Sequence, residues 1–503
     1  MNIALINPNL VFQKNDPFTT GIVYMPIGLA YVAAVLRSAG HDVQVIDAFA
    51  EKTGQVRGAG NFSRLGMTDQ EVIDALLPNT NLVFVYAINL TSHIATIGVV
   101  GAVKDAFPNL PLAVVENTQA VTAYSLGQVA ADFYQAGADY IITGEGERSV
   151  LALVAAIPAS NHDAIRSIEG LGTSQFYNPP GRYFTEEELD ALPWPAWDLF
   201  PLESYWELRF AHGPQFNDRY MPLLTSRGCP YPCLFCVVPA TNRQKWRPRS
   251  AANVVDEIEH YVKTFQVKEF HIEDLDPTIS DERIRDICEE IIRRELKVVW
   301  KIAAGTKVET IRDEATIDLM ADAGCRYISI SPETGSPELL KQMKKPFDLE
   351  HAVRMTGRMS EVGIHSQACF VLGFPGESDK DRKMTWEMVR DLTKKGVDEI
   401  AIFIITPVPG SAIYHQFEGF KSFSDLNFSP TWRHDYKVLS RFRLRLYAAF
   451  LWWKFWSHPM KFIKQPFNFM RRRFETKMEM VPFRAISLMA RLRKADAQDR
   501  QRG

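Results

Sequence analysis

The sequence predicts an α/β chain. A doubly wound, Rossmann-like sheet over residues 1–157 leads through a connector, 158–219, to a partial (β/α)6 TIM barrel over 220–415 and a helical C-terminal tail over 416–503. Three observations carry this. Short β-branched runs alternate with helical patterns in the first third, the order that builds a parallel sheet. A second strand–helix alternation, with a unit of about 30 to 40 residues, starts near residue 220. Three of the six cysteines fall within eight residues on the loop after the first strand of that second series.

The first strands read as Ile3–Ile6, Val43–Ile46, Leu82–Tyr86, Leu112–Val115 and Tyr140–Ile142, apolar enough to be buried on both faces. Between them lie helical patterns at Pro26–Ala39, closed by Gly40, then Thr68–Leu77, Thr91–Phe107 and Thr122–Ala136, closed by Gly137. Ligands of such sheets bind at the carboxyl ends of the strands, here Asn7-Pro8-Asn9, Asn89–Ser92, Glu116–Thr118 and Thr143–Glu147. No G-x-G-x-x-G loop follows the first strand, which argues against NAD or FAD. The connector is rich in proline and aromatics, as in Leu192-Pro193-Trp194-Pro195-Ala196-Trp197, and is expected to pack rather than flex.

Barrel strands are expected at Met221–Thr225, Glu269–Ile272, Val298–Ile302, Tyr327–Ser331, Ala368–Leu372 and Glu399–Ile404, with helices between them. After about residue 412 the chain turns basic and aromatic. Phe442–Trp456 and Lys461–Phe474 read either as a helical cap with a solvated basic face or as an interfacial helix on anionic lipid. A nucleic-acid reading has aromatics and arginines in its favour, but no recognisable binding motif accompanies them.

At 503 residues the chain exceeds one hydrophobic core, and 46% hydrophobic with 23% charged residues describes an ordinary globular protein. The net charge of −3 points to no partner. Scattered Cys288, Cys325 and Cys369 argue against a disulfide framework and for a reducing cytosol, with peripheral membrane contact through the tail. The first residues lack a basic signal region, and no stretch reaches the roughly 20 apolar residues that span a bilayer.

Cys229, Cys233 and Cys236 are spaced C-x3-C-x2-C. Three thiolates on one loop hold three corners of a metal cluster and leave the fourth open. Soft sulfur selects iron–sulfur clusters, zinc or copper(I). Structural zinc closes with four ligands, and the nearest histidines, His212 and His260, are remote in sequence. An open iron–sulfur site is favoured over zinc, and over cysteines that are merely packed.

These residues resemble the radical S-adenosylmethionine (SAM) enzymes, whose C-x3-C-x-aromatic-C signature is matched by Cys229, Cys233, Phe235 and Cys236. The resemblance implies a 4Fe-4S cluster whose open iron chelates SAM. It extends to Glu273-Asp274 after the second barrel strand, where the family contacts the methionine moiety. Ser331-Pro332-Glu333-Thr334-Gly335-Ser336 after the fourth looks like the ribose-binding E-[ST]-G-S segment. Gly373-Phe374-Pro375-Gly376-Glu377 after the fifth is similar to the turn near adenine, and Thr406-Pro407 follows the sixth.

Residues 1–415 further resemble the cobalamin-binding subclass, with Asp139–Glu147 matching D-x4-G-E-G-E. The resemblance implies cobalamin contacts at Asn7, Pro8, Thr91, Ser92, Glu116, Asn117, Gly144, Glu145 and Gly146. Two departures stand out. D-x-H-x-x-G is missing, and the usual Gly-Gly pair after the fourth strand is replaced by Glu116-Asn117. His93 is read as a packed or capping side chain rather than one facing cobalt.

The implied activity is SAM cleavage to a 5′-deoxyadenosyl radical, then cobalamin-dependent methylation of an unactivated carbon in a small or lipid-like molecule. An external electron donor such as flavodoxin or ferredoxin is implied too. Radical oxidation or cyclisation without methyl transfer is the alternative, and a non-catalytic cluster or cobalamin sensor a further one. No catalytic residue is singled out.

Overall fold

In the computed structural model, residues 1–13, 22–59, 62–120, 122–158, 161–427, 429–487 and 490 are described. The N-terminal sheet contains β1 (Asn2–Asn7), β2 (Asp42–Asp47), β3 (Leu82–Ala87), β4 (Leu112–Glu116), β5 (Tyr140–Ile142) and β6 (Leu171–Gly172), in spatial order β2-β1-β3-β4-β5-β6. All pairs are parallel except β5–β6. Every residue of β3 and β4 is buried, as expected of strands covered on both faces. Helices α1 (Ile27–Ser38), α2 (His93–Ala106), α3 (Leu126–Gln135) and α4 (Gly146–Ala156) flank the sheet.

The second sheet runs β7 (Tyr220–Leu223), β8 (Glu269–Ile272), β9 (Val299–Thr306), β10 (Cys325–Glu333), β11 (His365–Leu372) and β12 (Glu399–Ile404) in sequential order, all parallel. Helices α5 (Ala251–Phe265), α6 (Asp281–Arg293), α7 (Glu314–Asp322), α8 (Leu349–Glu361) and α9 (Asp379–Lys395) alternate with its strands. This is the expected partial barrel. The strand period of two sorts its side chains. Phe270, Ile272, Trp300, Ile302, Ile328, Ile330, Phe370 and Ile402 join the hydrophobic core. The alternate residues Glu269, His271, Lys301, Ser329 and Gln367 are polar and also buried. The lumen is therefore a polar chamber, not the layered aliphatic plug of a complete barrel.

One feature was not anticipated. Leu10–Gln13, Phe62–Leu65 and Val56–Ala59 form a separate antiparallel sheet. The connector does pack: Trp197 is fully buried and Trp206 donates to the Tyr220 carbonyl at 2.7 Å. The tail forms α10 (Tyr436–Ser457) and α11 (Pro459–Arg471), with residues 477–487 helical. Its basic residues divide into two groups. Arg441, Arg445 and Arg471 are exposed, whereas Arg443, Lys454 and Arg484 are buried, so a wholly solvated basic face is ruled out. No helix among the described residues is long and apolar enough to cross a membrane.

Candidate functional site

The cysteine loop leaves the barrel directly after β7. Gly228 takes φ +81°, and a Cβ there would collide with the Lys245 carbonyl oxygen, so this turn demands glycine. The loop is tied down along its length: Leu234 donates to the Met343 carbonyl at 3.0 Å and Cys236 to the Cys233 carbonyl at 3.2 Å. Cys229 and Cys236 pack against Val237, Val238 and Leu275, while Phe235 packs among Leu339, Met343 and Phe374. Burial pushes the Cys229 and Cys236 thiols up to about 12. A soft cation that replaces the protons reverses that penalty. Among the described residues no three His, Cys, Asp or Glu converge as ligands of a single ion would. Cys229, Cys233 and Cys236 would instead hold a cluster of several metal ions, which does not require the three thiols to meet at one point.

The strand-end segments expected to hold SAM all lie at the same end of the barrel as this loop, and they divide by how their side chains are used. Asp274 accepts from the Thr225 amide at 2.6 Å, the Thr225 hydroxyl at 2.6 Å and the Ser226 hydroxyl at 2.5 Å. Both its oxygens are thus spent on holding the approach to the cysteines. Glu273 is held differently. It is half-buried, desolvation pushes its carboxyl up to about 8, and the His212 ring lies 3.7 Å away.

Glu333 has φ +63° and pairs with Lys345 at 2.5 Å, and that lysine lies over the Phe235 ring. Ser331 stands against Gly305, where a Cβ would approach its hydroxyl to 2.5 Å. The Gly373 amide donates to Glu377 at 2.8 Å, and its carbonyl accepts from Arg433 at 3.0 Å. Pro375 follows in the same turn, whereas Thr406 and Pro407 follow Ile405, whose carbonyl accepts from Arg433 at 2.8 Å. Arg433, a tail residue, thus clamps two of these loops and had no sequence signal.

The carboxyl edge of the N-terminal sheet faces the barrel. Glu116, at the end of β4, accepts from the Gly144 amide at 2.7 Å and the Leu126 amide at 2.8 Å. Burial raises its carboxyl to about 7. It therefore fills with a side chain, and knits together, the place where the related subclass has glycines. Asn117 donates to the Ile88 carbonyl at 2.7 Å. Asn7 donates to Asp47 at 2.9 Å, beside Pro8, and the Thr91 hydroxyl donates to Asn89 at 2.8 Å.

Glu145 crosses to the barrel side, pairing with Arg247 at 2.7 Å, between Gly144 at φ +79° and Gly146 at the start of α4. Ser92 Oγ, Gln119 Oε1, Thr122 Oγ1 and Asn242 Oδ1 are buried without a hydrogen-bond partner among the described residues. Such atoms are costly unless a ligand meets them. An amide-edged macrocycle such as cobalamin offers matching groups, so this edge fits a corrin rim. Glu116 narrows the room for its tail. His93 is packed: its ring nitrogens meet Tyr124 at 3.0 Å and Asp132 at 3.1 Å.

A narrow cavity between the two sheets is lined by Tyr24, Tyr86, Asn117, Gln119, Thr122 and Glu273. Below it the barrel floor is closed by the tail. Lys477 enters the lumen and donates to Gln367 at 2.8 Å, the Ala303 carbonyl at 3.1 Å and the His212 ring at 3.1 Å. Burial lowers the Lys477 ammonium and holds His212 well below its ordinary value, so the neutral ring accepts from the lysine. Glu269 and Glu399 cap the floor, accepting from the Asn217 and Met478 amides at 2.6 and 2.7 Å. Sequence reasoning missed Lys477 and His212. Neither belongs to a motif, and only the fold brings them together.

Residues 223–389 match the family model described as the radical SAM superfamily. The chain is 26% identical to cytidylyl-2-hydroxyethylphosphonate methyltransferase of Streptomyces wedmorensis, over 82% of this chain and 81% of that one. It is 30% identical to the anaerobic magnesium-protoporphyrin IX monomethyl ester cyclase of Rubrivivax gelatinosus, over 55% and 49%. Among solved structures, TsrM from Kitasatospora setae, a radical SAM methyltransferase, aligns with TM-score 0.62 at 18% identity, over 84% of this chain and 77% of that one. The same protein with cobalamin and a [4Fe-4S] cluster bound gives 0.60. These two show a shared fold, and the matched segment runs from β7 through the cysteine loop to α9. Over residues 223–389 the chain therefore carries a radical SAM domain.

Proposed function

We propose that this chain is a cobalamin-dependent radical SAM methyltransferase acting on an unactivated carbon of a small organic substrate. The observation that carries the reading is the three-cysteine loop at the barrel mouth, set against a sheet edge with unmatched buried polar atoms. Cys229, Cys233 and Cys236 would hold a 4Fe-4S cluster, which supplies the electron that cleaves SAM at its sulfonium. Cobalamin, against Gln119, Thr122 and Asn242, would supply the methyl carrier.

The chain's own residues do the rest. Asp274 fixes the cysteine loop through Thr225 and Ser226. Glu273, whose carboxyl holds its proton up to about 8, is a half-buried hydrogen-bonding group for the amino-acid end of SAM. Glu333, already placed by Lys345, is available to a ribose hydroxyl. The packed lumen and tail exclude water from the radical.

A second reading, radical oxidation or cyclisation without methyl transfer, is favoured by Glu116 in the place of glycine and by the cyclase relative. Anaerobic purification with an absorption spectrum reports iron–sulfur cluster and corrinoid together. Both chromophores, with a product heavier by one CH2, support methylation. A cluster without corrinoid after growth with cobalamin, and a product that loses hydrogen, would overturn it for the second reading.

A further inference from the structure

Sixteen large hydrophobic side chains among the described residues are exposed, and eleven of them lie between Val438 and Ile486. Monomers rarely leave apolar groups gathered this way without a partner. They form one stripe on each tail helix. On α10, Val438, Leu444, Trp452, Phe455 and Trp456 share the face opposite the buried Leu439, Leu446 and Phe450. On α11, Met460, Ile463, Phe467 and Met470 recur at helical spacing. Phe455 meets Phe462 at 5.5 Å between ring centroids, joining the two helices into one surface.

The charge on this surface is one-sided. From Tyr436 to Phe474 the chain holds ten Lys and Arg and no Asp or Glu. Buried Arg443 and Lys454 face the barrel, where Lys454 donates to the Asp398 carbonyl at 2.5 Å. Lys461 pairs with the Asp398 carboxylate at 2.9 Å. Arg441, Arg445 and Arg471–Arg473 point outward and are exposed. A second copy of this surface would meet it with like charge, which opposes self-association. An anionic bilayer satisfies both halves at once. Tryptophan and phenylalanine settle at the headgroup level, and each nearby cation gains from lipid phosphates. The basic residues along α10 also argue against this long helix crossing a membrane.

We propose that the outer face of α10 and α11 is a membrane-docking surface for anionic lipid, with Trp452, Trp456, Ile463 and Phe467 in the headgroup region and Arg441 and Arg445 on lipid phosphates. Such docking would let the barrel take a substrate that partitions into the bilayer.

The test is flotation of the full-length protein with vesicles of phosphatidylglycerol and phosphatidylcholine, beside vesicles of phosphatidylcholine alone. The protein is expected to float with the anionic vesicles only, and to be released by high salt. The variants Trp452→Ser/Trp456→Ser and Arg441→Glu/Arg445→Glu should each lower the bound fraction about tenfold. Neither should shift the thermal midpoint, because all four side chains are exposed. Three results would overturn the proposal: no flotation with anionic vesicles, equal flotation with neutral ones, or a lipid-independent oligomer that dissociates when the tryptophans are replaced.

Discussion

The two ends of the barrel are built in opposite ways. At the mouth, short motifs at successive strand ends do most of the work: glycines at positive φ, a three-cysteine loop, and an acidic strand end that holds it, with Arg433 of the tail clamping two of the loops. At the floor, groups hundreds of residues apart meet, with Lys477 from the tail reaching His212 of the connector and Gln367 of β11. The mouth is built to bind and react. The floor is built to seal a polar lumen that would otherwise fill with water. A reactive centre in this chain therefore depends on two kinds of structure, and each can be broken separately.

The largest expected effect is at the mouth. Cys233→Ala should reduce SAM cleavage to background while leaving the secondary structure of the chain intact, since the thiol is only half-buried. Retained cleavage, followed by anaerobic product analysis, would place the reactive centre elsewhere. Asp274→Ala tests whether the loop's support matters as much as its ligands. It strands three buried donors, so a loss of about 4 kcal/mol in urea unfolding is expected, with slower cluster reconstitution. An unchanged midpoint would mean that the loop is held by its packing alone.

A pH series examines the neighbouring sheet edge. The Glu116 carboxyl keeps its proton up to about 7 in the folded chain, against 4.5 in its ordinary state. The folded state thus binds the extra proton. This contribution to stability is complete below about pH 4.5 and is lost as pH rises through 7, by up to about 3 kcal/mol. Glu116→Gln should flatten that part of the profile; identical slopes in both proteins would remove Glu116 as its cause. The smallest effect is expected at the floor. Lys477→Met removes a donor from Ala303, His212 and Gln367, the last of which keeps Ser329, and should cost about 2 kcal/mol, while freeing the C-terminal helix to protease. Full protection in the variant would show that the tail seals the barrel without its lysine.

The same contrast governs what could be read from the sequence. The parallel strands were legible because buried strands announce themselves as runs such as Leu82–Ala87, and the cysteine loop because its spacing is local. The polar lumen was not, because Glu269 and His271 are polar residues inside a strand that reads as a plain short run, and only its parallel neighbours show which way they point. Asp274 carried a family role in the sequence reading, whereas its geometry is that of a support. Arg433, His212 and Lys477 gave no signal, since each acts across a distance set by the finished fold. Buried Arg443 and Lys454 look the same in sequence as exposed Arg441 and Arg445; the helical period separates them only once one face is known to meet the barrel.

The central claim is that the mouth of this barrel cleaves SAM. The direct measurement is incubation of the anaerobically reconstituted, chemically reduced protein with SAM, followed by mass-spectrometric quantification of 5′-deoxyadenosine and S-adenosylhomocysteine. The account predicts that 5′-deoxyadenosine forms in the intact protein and not in Cys233→Ala, with S-adenosylhomocysteine beside it if SAM also supplies the methyl group. Intact SAM after reduction, in a protein whose cluster spectrum is complete, would contradict it.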